Sequence, residues 1–452
     1  MQVEDMIKRF FLARSTVLTL IILVLGAVVV GYLFPQRFLL SPAGMDRWAL
    51  DHPSLATLSR TLALDHVYTS PWFAVLLALF MVSLLFSTWE QFTRALRLTR
   101  EGGGGGKSLV LACAPETVAA AAGRLGYLRV RSDGNSIRLV KNPWGYWGNV
   151  LLHLGIVAAV AASLVILLYE KRGSVDLLEG EVHGVGDPWT RQDMGLLAGT
   201  FALPEAVRLD RVVPEFWPNG NLKQLTTDFT FIGPDGRHSP YSMHVNKTIR
   251  HSGIRVFQGK SFGRAFYVGF QDANGAWQGD IFMVDSRFTG DDAPFKDFTV
   301  PWTSSTIRAK YYPDSDRRAP VGDNPLLLLQ LVKAGKVVEE LSLTAGASGT
   351  LGGHPVTLVK SEWWGGIIFI DTTGMEGIFF AFLVIALGGG MSYLSPPREL
   401  LAVKEGEGCR LAWRAPRFAE LYREEFERIC RECLPADEAA GGDRVADGGH
   451  RG

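Results

Sequence analysis

Cysteine is scarce. Four residues in 452 cannot build a disulfide framework. A surplus of either charge is missing as well, because 46 Lys and Arg balance 46 Asp and Glu. That neutrality argues against a nucleic-acid binder, which carries a basic excess. Charged residues of all kinds reach only 20%. The sequence has no His-x-x-x-His spacing, no local nucleophile–base–acid set and no carboxylate pair in an apolar setting, so it offers no catalytic residues. Wholesale disorder is excluded by 26 Phe and 12 Trp. The chain does have segregation: its apolar residues sit in a few long blocks with the charges between them. That pattern excludes an ordinary soluble enzyme.

A membrane-spanning helix needs about 20 mostly apolar residues. Four blocks qualify, at 17–34, 72–89, 148–169 and 374–394. Trp72, Trp89, Trp147, Tyr169 and Tyr393 stand at block ends, where amphipathic rings favour the headgroup region. Lys8, Arg9 and Arg14 before the first block resemble the n-region of a signal peptide. No small-x-small cleavage site follows, so the block reads as an uncleaved anchor. Loop 35–71 carries three basic residues, whereas loop 90–147 carries nine. The positive-inside rule then puts 90–147, both termini and the Arg-rich tail 395–452 in the cytoplasm. Loop 35–71 and the long segment 170–366 fall outside.

Segment 170–366 reads as a β-rich domain. Short alternating runs at Leu225–Ile232, Tyr241–Val245, Gly253–Gln258 and Ala265–Phe270 are separated by turn-type clusters, among them Gly259-Lys-Ser-Phe-Gly263. Leu326–Lys333 and Val337–Leu343 flank Ala-Gly, a hairpin signal. Loop 90–147 holds a small α+β unit: a helix over Glu116–Leu125 and a hairpin around Asp133-Gly134-Asn135. Gly102–Gly106 reads as a flexible tether, because a strand rather than a helix follows Gly106-Lys107-Ser108. Arg417–Leu434 is amphipathic, and beyond Pro435 the chain reads as disordered. The expected fold is thus an integral membrane protein with four transmembrane helices, a large extracytoplasmic mainly-β domain and a small cytoplasmic α+β unit.

His153 is the single histidine inside a block. An intramembrane histidine is by default a functional hypothesis, and neutral imidazole is a good axial ligand for haem iron. A packing histidine bonded to a neighbouring helix is the alternative, and both remain open here. His66, beside Asp65, is a second, weaker ligand candidate or an interfacial group. His183, His238, His244, His251 and His354 read as surface or loop residues. Cys430-x-x-Cys433 lacks a second pair to complete a zinc site, unless Cys409 joins or a dimer forms, and Cys113 reads as a lone thiol. No metal beyond haem iron is expected. Trp363-Trp364 reads as an anchor at the membrane surface.

The order of parts, from about Phe10 to Arg398, resembles the ResB-like cytochrome c biogenesis proteins, the smaller membrane subunit of the System II maturation machinery. Local sequence carries the same resemblance. It lies in Gly126-Tyr127-Leu-Arg-Val, in Gly148–Gly155 with His153-Leu-Gly, in Gly220-Asn-Leu-Lys-Gln-Leu-Thr-Thr-Asp-Phe, in Val245-Asn246 through Gly253-Ile-Arg-Val-Phe-Gln258, and in Asp371-Thr-Thr-Gly-Met-Glu-Gly377. Lys247-Thr248 stands where the family usually has Pro-Leu, which marks a divergent branch. The resemblance implies a bacterial inner-membrane protein that works with membrane lipid around it, a ResC-type multi-span haem-handling partner and apocytochrome c. Haem b would be relayed transiently, with His153 as one axial ligand. The chain would be a non-catalytic subunit of a holocytochrome c synthase complex that helps move haem across the membrane for thioether attachment. A cytochrome b-type electron-transfer subunit and a non-enzymatic scaffold or sensor are the alternatives.

Overall fold

The computed structural model describes residues 2–40, 42–103, 106–218, 221–271, 275–300, 305–316, 322 and 324–433. The tail beyond Pro435 lies outside them. Among the described residues there are nine α-helices: α1 (Gln2–Leu12), α2 (Arg14–Leu33), α3 (Pro42–Asp51), α4 (Pro53–Leu62), α5 (Pro71–Glu101), α6 (Pro115–Arg124), α7 (Gly145–Tyr169), α8 (Met375–Tyr393) and α9 (Arg423–Glu432). Four of them, α2, α5, α7 and α8, are long and apolar enough to cross a membrane. The chain divides into two compact units. One comprises residues 1–29, 71–166 and 374–452; the other comprises 30–70 and 167–373.

In the first unit, α5 runs well beyond the expected 72–89. Its 31 residues span about 46 Å at 1.5 Å per residue, more than the apolar core of a bilayer. Arg94, Arg97 and Arg100, expected in a loop, instead ride its last turns. Helix α1 packs on α5: Ser83 Oγ donates to the Phe11 carbonyl at 2.9 Å, and Phe11 stacks on Phe86 at 5.9 Å. Helices α7 and α8 meet through glycine. A Cβ at Gly155 would come within 2.6 Å of Ile385 Cγ1 and 3.0 Å of the Ala381 carbonyl. A Cβ at Gly388 would meet Leu152 N and, at 2.7 Å, the Gly148 carbonyl. Small residues at this seam let the two backbones approach closely, the packing that apolar surroundings favour.

The same unit carries a five-stranded antiparallel sheet. Its order is Lys107–Leu111, Gly408–Arg414, Arg398–Glu405, Ser136–Lys141, Leu128–Asp133. The expected hairpin forms its far edge. The segment expected to be a tail supplies two inner strands, so the small unit is built from both ends of the chain. Ile137, Leu139, Leu400, Ala402, Leu411 and Trp413 bury against α6 and α9. On the opposite face Arg138 reaches back to α5. Its guanidinium donates to the carbonyls of Leu98 at 2.6 Å and Thr99 at 3.0 Å, and to Glu399 Oε1 at 2.6 Å. It thereby caps the negative end of the helix dipole and pairs a carboxylate in one step.

The second unit is mainly β, and among the described residues of 170–373 there is no α-helix. Seven strands form one sheet and four strands form each of two others. The strands Ile254–Gln271 and His354–Asp371, 18 residues each, pair antiparallel and run through two cores. Ile254, Val256, Phe262, Ile367 and Phe369 belong to the first core; Phe266, Val268, Phe270, Val356 and Leu358 belong to the second. The cluster Gly259–Gly263, expected as a turn, is instead a bulge inside one continuous strand, where the register shifts between Gln258 and Phe262. Its glycines serve close approach: a Cβ on Gly259 would strike the Gly366 backbone, and one on Gly263 the Val284 carbonyl. The Ala-Gly hairpin forms between Leu326–Lys333 and Lys336–Leu343, with Ala334 at φ 48° and Gly335 at φ 78°.

Trp363 and Trp364 are corrected by the structure. Both lie within the His354–Asp371 strand. Trp364 is buried and its Nε1 donates to the Val284 carbonyl at 3.4 Å, while Trp363 stacks under the Arg264 guanidinium at 3.9 Å. They belong to the β domain's interior rather than to a membrane surface.

Candidate functional site

Helix α7 is apolar over nearly its whole length, and His153 is the one histidine in the four long helices. The seam with α8 uses Gly148, Leu152 and Gly155. At 100° per residue His153 points away from that seam, toward the side where Tyr146 and Asn149 lie. Asn149 Nδ2 donates to Gln91 Oε1 on α5 at 2.8 Å. The imidazole therefore sits one turn further into the apolar segment, on the α5-facing side. It is half-buried, and its Nδ1 is fully buried with no hydrogen-bond partner. The packing reading asked for a bond to a neighbouring helix, and Nδ1 makes none.

Toward the polar end of α7 opens a cavity of about 190 Å³. Gln91, Arg94, Tyr146, Asn149, Arg414 and Arg417 line it, together with Glu399. Glu399 is engaged by Arg138, by the Gly103 N–H at 3.0 Å and by the Tyr146 hydroxyl at 3.3 Å. The remaining guanidiniums leave this wall cationic. Sequence reasoning missed the cavity because its residues come from α5, α7 and the strand after α8. Only the density of Arg in 90–100 and 410–417 hinted at it.

His66 lies in the 3₁₀ turn Leu64–Thr69 of the other unit. Its Nδ1 is 2.7 Å from Asp65 Oδ1. Nearby, Asp193 pairs with Arg37 at 3.2 Å and accepts from Thr69 Oγ1 at 2.9 Å. These contacts fix a corner of the β domain and involve His66 through its carbonyl, which accepts from Thr69. Among the other histidines, His238 is exposed as expected. His183 and His251 are not surface residues. His183 is buried against Trp189, and burial lowers its pKa, opposed by Asp187 and Glu181. His251 stacks on Phe231 at 4.1 Å and shares a hydrogen bond of 3.0 Å with Tyr241. Its Nε2 is 3.1 Å from Glu205 Oε2, though out of line for a hydrogen bond.

Three of the four long helices, α2, α5 and α7, and the first part of the β domain find a match. Residues 14–265 match the ResB-like family. The chain belongs to that family.

Relatives named for their role point the same way. CcsB of Thermosynechococcus vestitus, named a cytochrome c biogenesis protein, is 24% identical over 402 residues, covering 83% of this chain and 84% of its own. CcsB of a Synechococcus species is 22% identical over 397 residues, covering 81% and 82%. The alignment to CcsB of a Picosynechococcus species is shorter, covering 44% of each chain. Chloroplastic cytochrome c biogenesis protein CCS1 of Oryza sativa is 24% identical over 212 residues, 44% of this chain and 37% of its own.

Proposed function

We propose that this ResB-like chain is a non-catalytic subunit of a bacterial inner-membrane assembly for cytochrome c maturation. In this reading it helps carry haem b across the membrane and presents it to apocytochrome c for thioether attachment. The relatives' names support the role in cytochrome c biogenesis. The observation that carries the haem reading is His153. An imidazole whose Nδ1 is buried without a partner, inside a helix apolar enough to cross a bilayer, is costly unless something outside this chain engages the ring. Haem iron bound by a neutral imidazole is such an engagement. His153 would supply one imidazole nitrogen to the haem iron, and a further ligand would come from a multi-span partner of the ResC type.

The cationic cavity near Asn149 and Tyr146 suits the propionate carboxylates of the same molecule, through Arg94, Arg414 and Arg417. Haem, when bound, would supply an iron that takes imidazole nitrogen as a ligand. This chain's part would be to offer that nitrogen at His153, orient the propionates and exclude water. The orientation of the sequence reading is supported by the sheet: strands from 107–141 and 398–414 interleave, so both basic segments share one side of the membrane. With that side as the cytoplasm, the β domain between α7 and α8 is extracytoplasmic. A cytochrome b-type reading needs two histidines on facing helices, and these four helices offer one.

The test is the haem spectrum of the full chain co-expressed with its multi-span partner. Wild type is compared with His153→Ala and with His153→Gly plus imidazole. The expected result is loss of haem in both variants and recovery with imidazole. Unchanged haem content and unchanged cytochrome c maturation would leave His153 as a packing residue and the chain as a scaffold.

A further inference from the structure

The chain's four cysteines stand at 113, 409, 430 and 433, in three separate segments. The structure brings all four into one place. Cys409 and Cys433 belong to the buried core of the small α+β unit, and Cys113 and Cys430 pack against that core. Cys113 follows the strand Lys107–Leu111. Cys409 lies on the neighbouring strand, where its partner is Leu111. Cys430 and Cys433 lie at the end of α9, three residues apart and thus on one helical face. All four are free thiols.

We propose that Cys113, Cys409, Cys430 and Cys433 form a tetrathiolate site for one zinc ion in the small α+β unit. The proposal is independent of the haem reading. Zinc in a closed structural site takes four ligands at tetrahedral corners, about 2.3 Å from each sulfur, so neighbouring sulfurs stand about 3.8 Å apart. Cys113 Sγ and Cys409 Sγ are 3.9 Å apart, one edge of such a tetrahedron. The Cys-x-x-Cys pair supplies the other two corners at the spacing zinc sites use. A divalent cation favours thiolates over thiols, so four cysteines gathered around one buried core suit it.

Among the described residues no three ligand-type side chains already surround a common point. Closure onto the ion therefore calls for rotamer changes, and a cysteine Sγ moves by about 3 Å between staggered χ1 wells. A disulfide between Cys113 and Cys409 is the rival use of the short contact. It would leave Cys430 and Cys433 without a role, whereas one ion employs all four. Zinc would also tie α9 to both sequence halves of the sheet, a junction that buried Ile429, the stacking of Phe426 on Trp413 and the ion pairs of Glu425 with Lys141 at 3.1 Å and Arg398 at 2.9 Å also hold.

The experiment is metal analysis of the full chain, purified in detergent under reductant. The expected result is about one zinc per chain, released by a mercurial reagent with exposure of four thiols. Exchange into cobalt should give the visible bands of a tetrahedral tetrathiolate complex. Cys430→Ser and Cys433→Ser should each lose most of the metal. Zinc well below stoichiometry in folded wild type, with no uptake of added zinc or cobalt, would overturn the proposal. So would a Cys113–Cys409 disulfide found by mass spectrometry in protein purified without reductant.

Discussion

Arg138→Met is the sharpest test of how the small unit is attached to α5. The wild-type guanidinium is 5% exposed and pairs with a Glu399 carboxylate that is 11% exposed. Removing one partner of a buried pair costs about 3–5 kcal/mol, because the other charge is left behind. Here Glu399 keeps the Gly103 N–H and the Tyr146 hydroxyl, which moves the expectation to about 3 kcal/mol. The Leu98 and Thr99 carbonyls at the end of α5 lose their donor in the same step. At about 2–4 °C per kcal/mol for a unit of this size, the midpoint should fall by roughly 6–12 °C. A thiol-reactive dye in a thermal ramp is the natural assay, because all four cysteines belong to this unit and the signal reports it alone. Glu399→Gln should lose less, since shape and hydrogen bonding survive. The double variant Arg138→Met/Glu399→Leu should recover most of the loss, as apolar replacements of buried pairs do. A midpoint within about 1 °C of wild type for Arg138→Met would refute the reasoning, as would a double variant that loses more than Arg138→Met alone.

Two further expectations follow from the packing and the electrostatics. Gly388→Leu should force α7 and α8 apart and collapse the monodisperse fraction on size exclusion, whereas Gly390→Ala, with nothing within 4 Å of its Cβ position, should leave it unchanged. For His183, burial holds the folded pKa below the ordinary 6.5, so on acidification the unfolded chain takes up the proton first. The β domain should lose stability as pH falls from 6.5 toward that lower value, and His183→Phe should flatten this slope in urea unfolding followed by tryptophan fluorescence.

The four long helices were legible because a run of about 20 apolar residues admits few other structures. The Ala-Gly hairpin was legible because left-handed residues at a two-residue turn leave a local signature. Gly259–Gly263 misled for a physical reason: glycine serves a turn through positive φ and a sheet through its missing Cβ, and a sequence does not say which. The two tryptophans at 363 and 364 misled similarly, since an amphipathic ring suits an interface and a core alike. His153 was visible as a candidate, but its unpartnered Nδ1 and its placement on the α5-facing side needed coordinates. The cationic cavity and the thiol cluster were invisible for a different reason. Both are assembled from segments about 300 residues apart, and no local pattern records a contact of that range.

The interleaved sheet imposes an order on biosynthesis. Arg398 pairs with Lys141, 257 positions earlier, and the strand it begins lies between Ser136–Lys141, made long before, and Gly408–Arg414, made after. At 5–20 residues per second, the ribosome needs on the order of 10–50 s to bridge that gap. Throughout this interval the strands Lys107–Leu111 and Ser136–Lys141 have open edges and no core. A chain halted before Gly408–Arg414 is complete is therefore left with unpaired strands, the open edges that invite pairing with another chain. Completion of this small sheet therefore waits until all four long helices have been made.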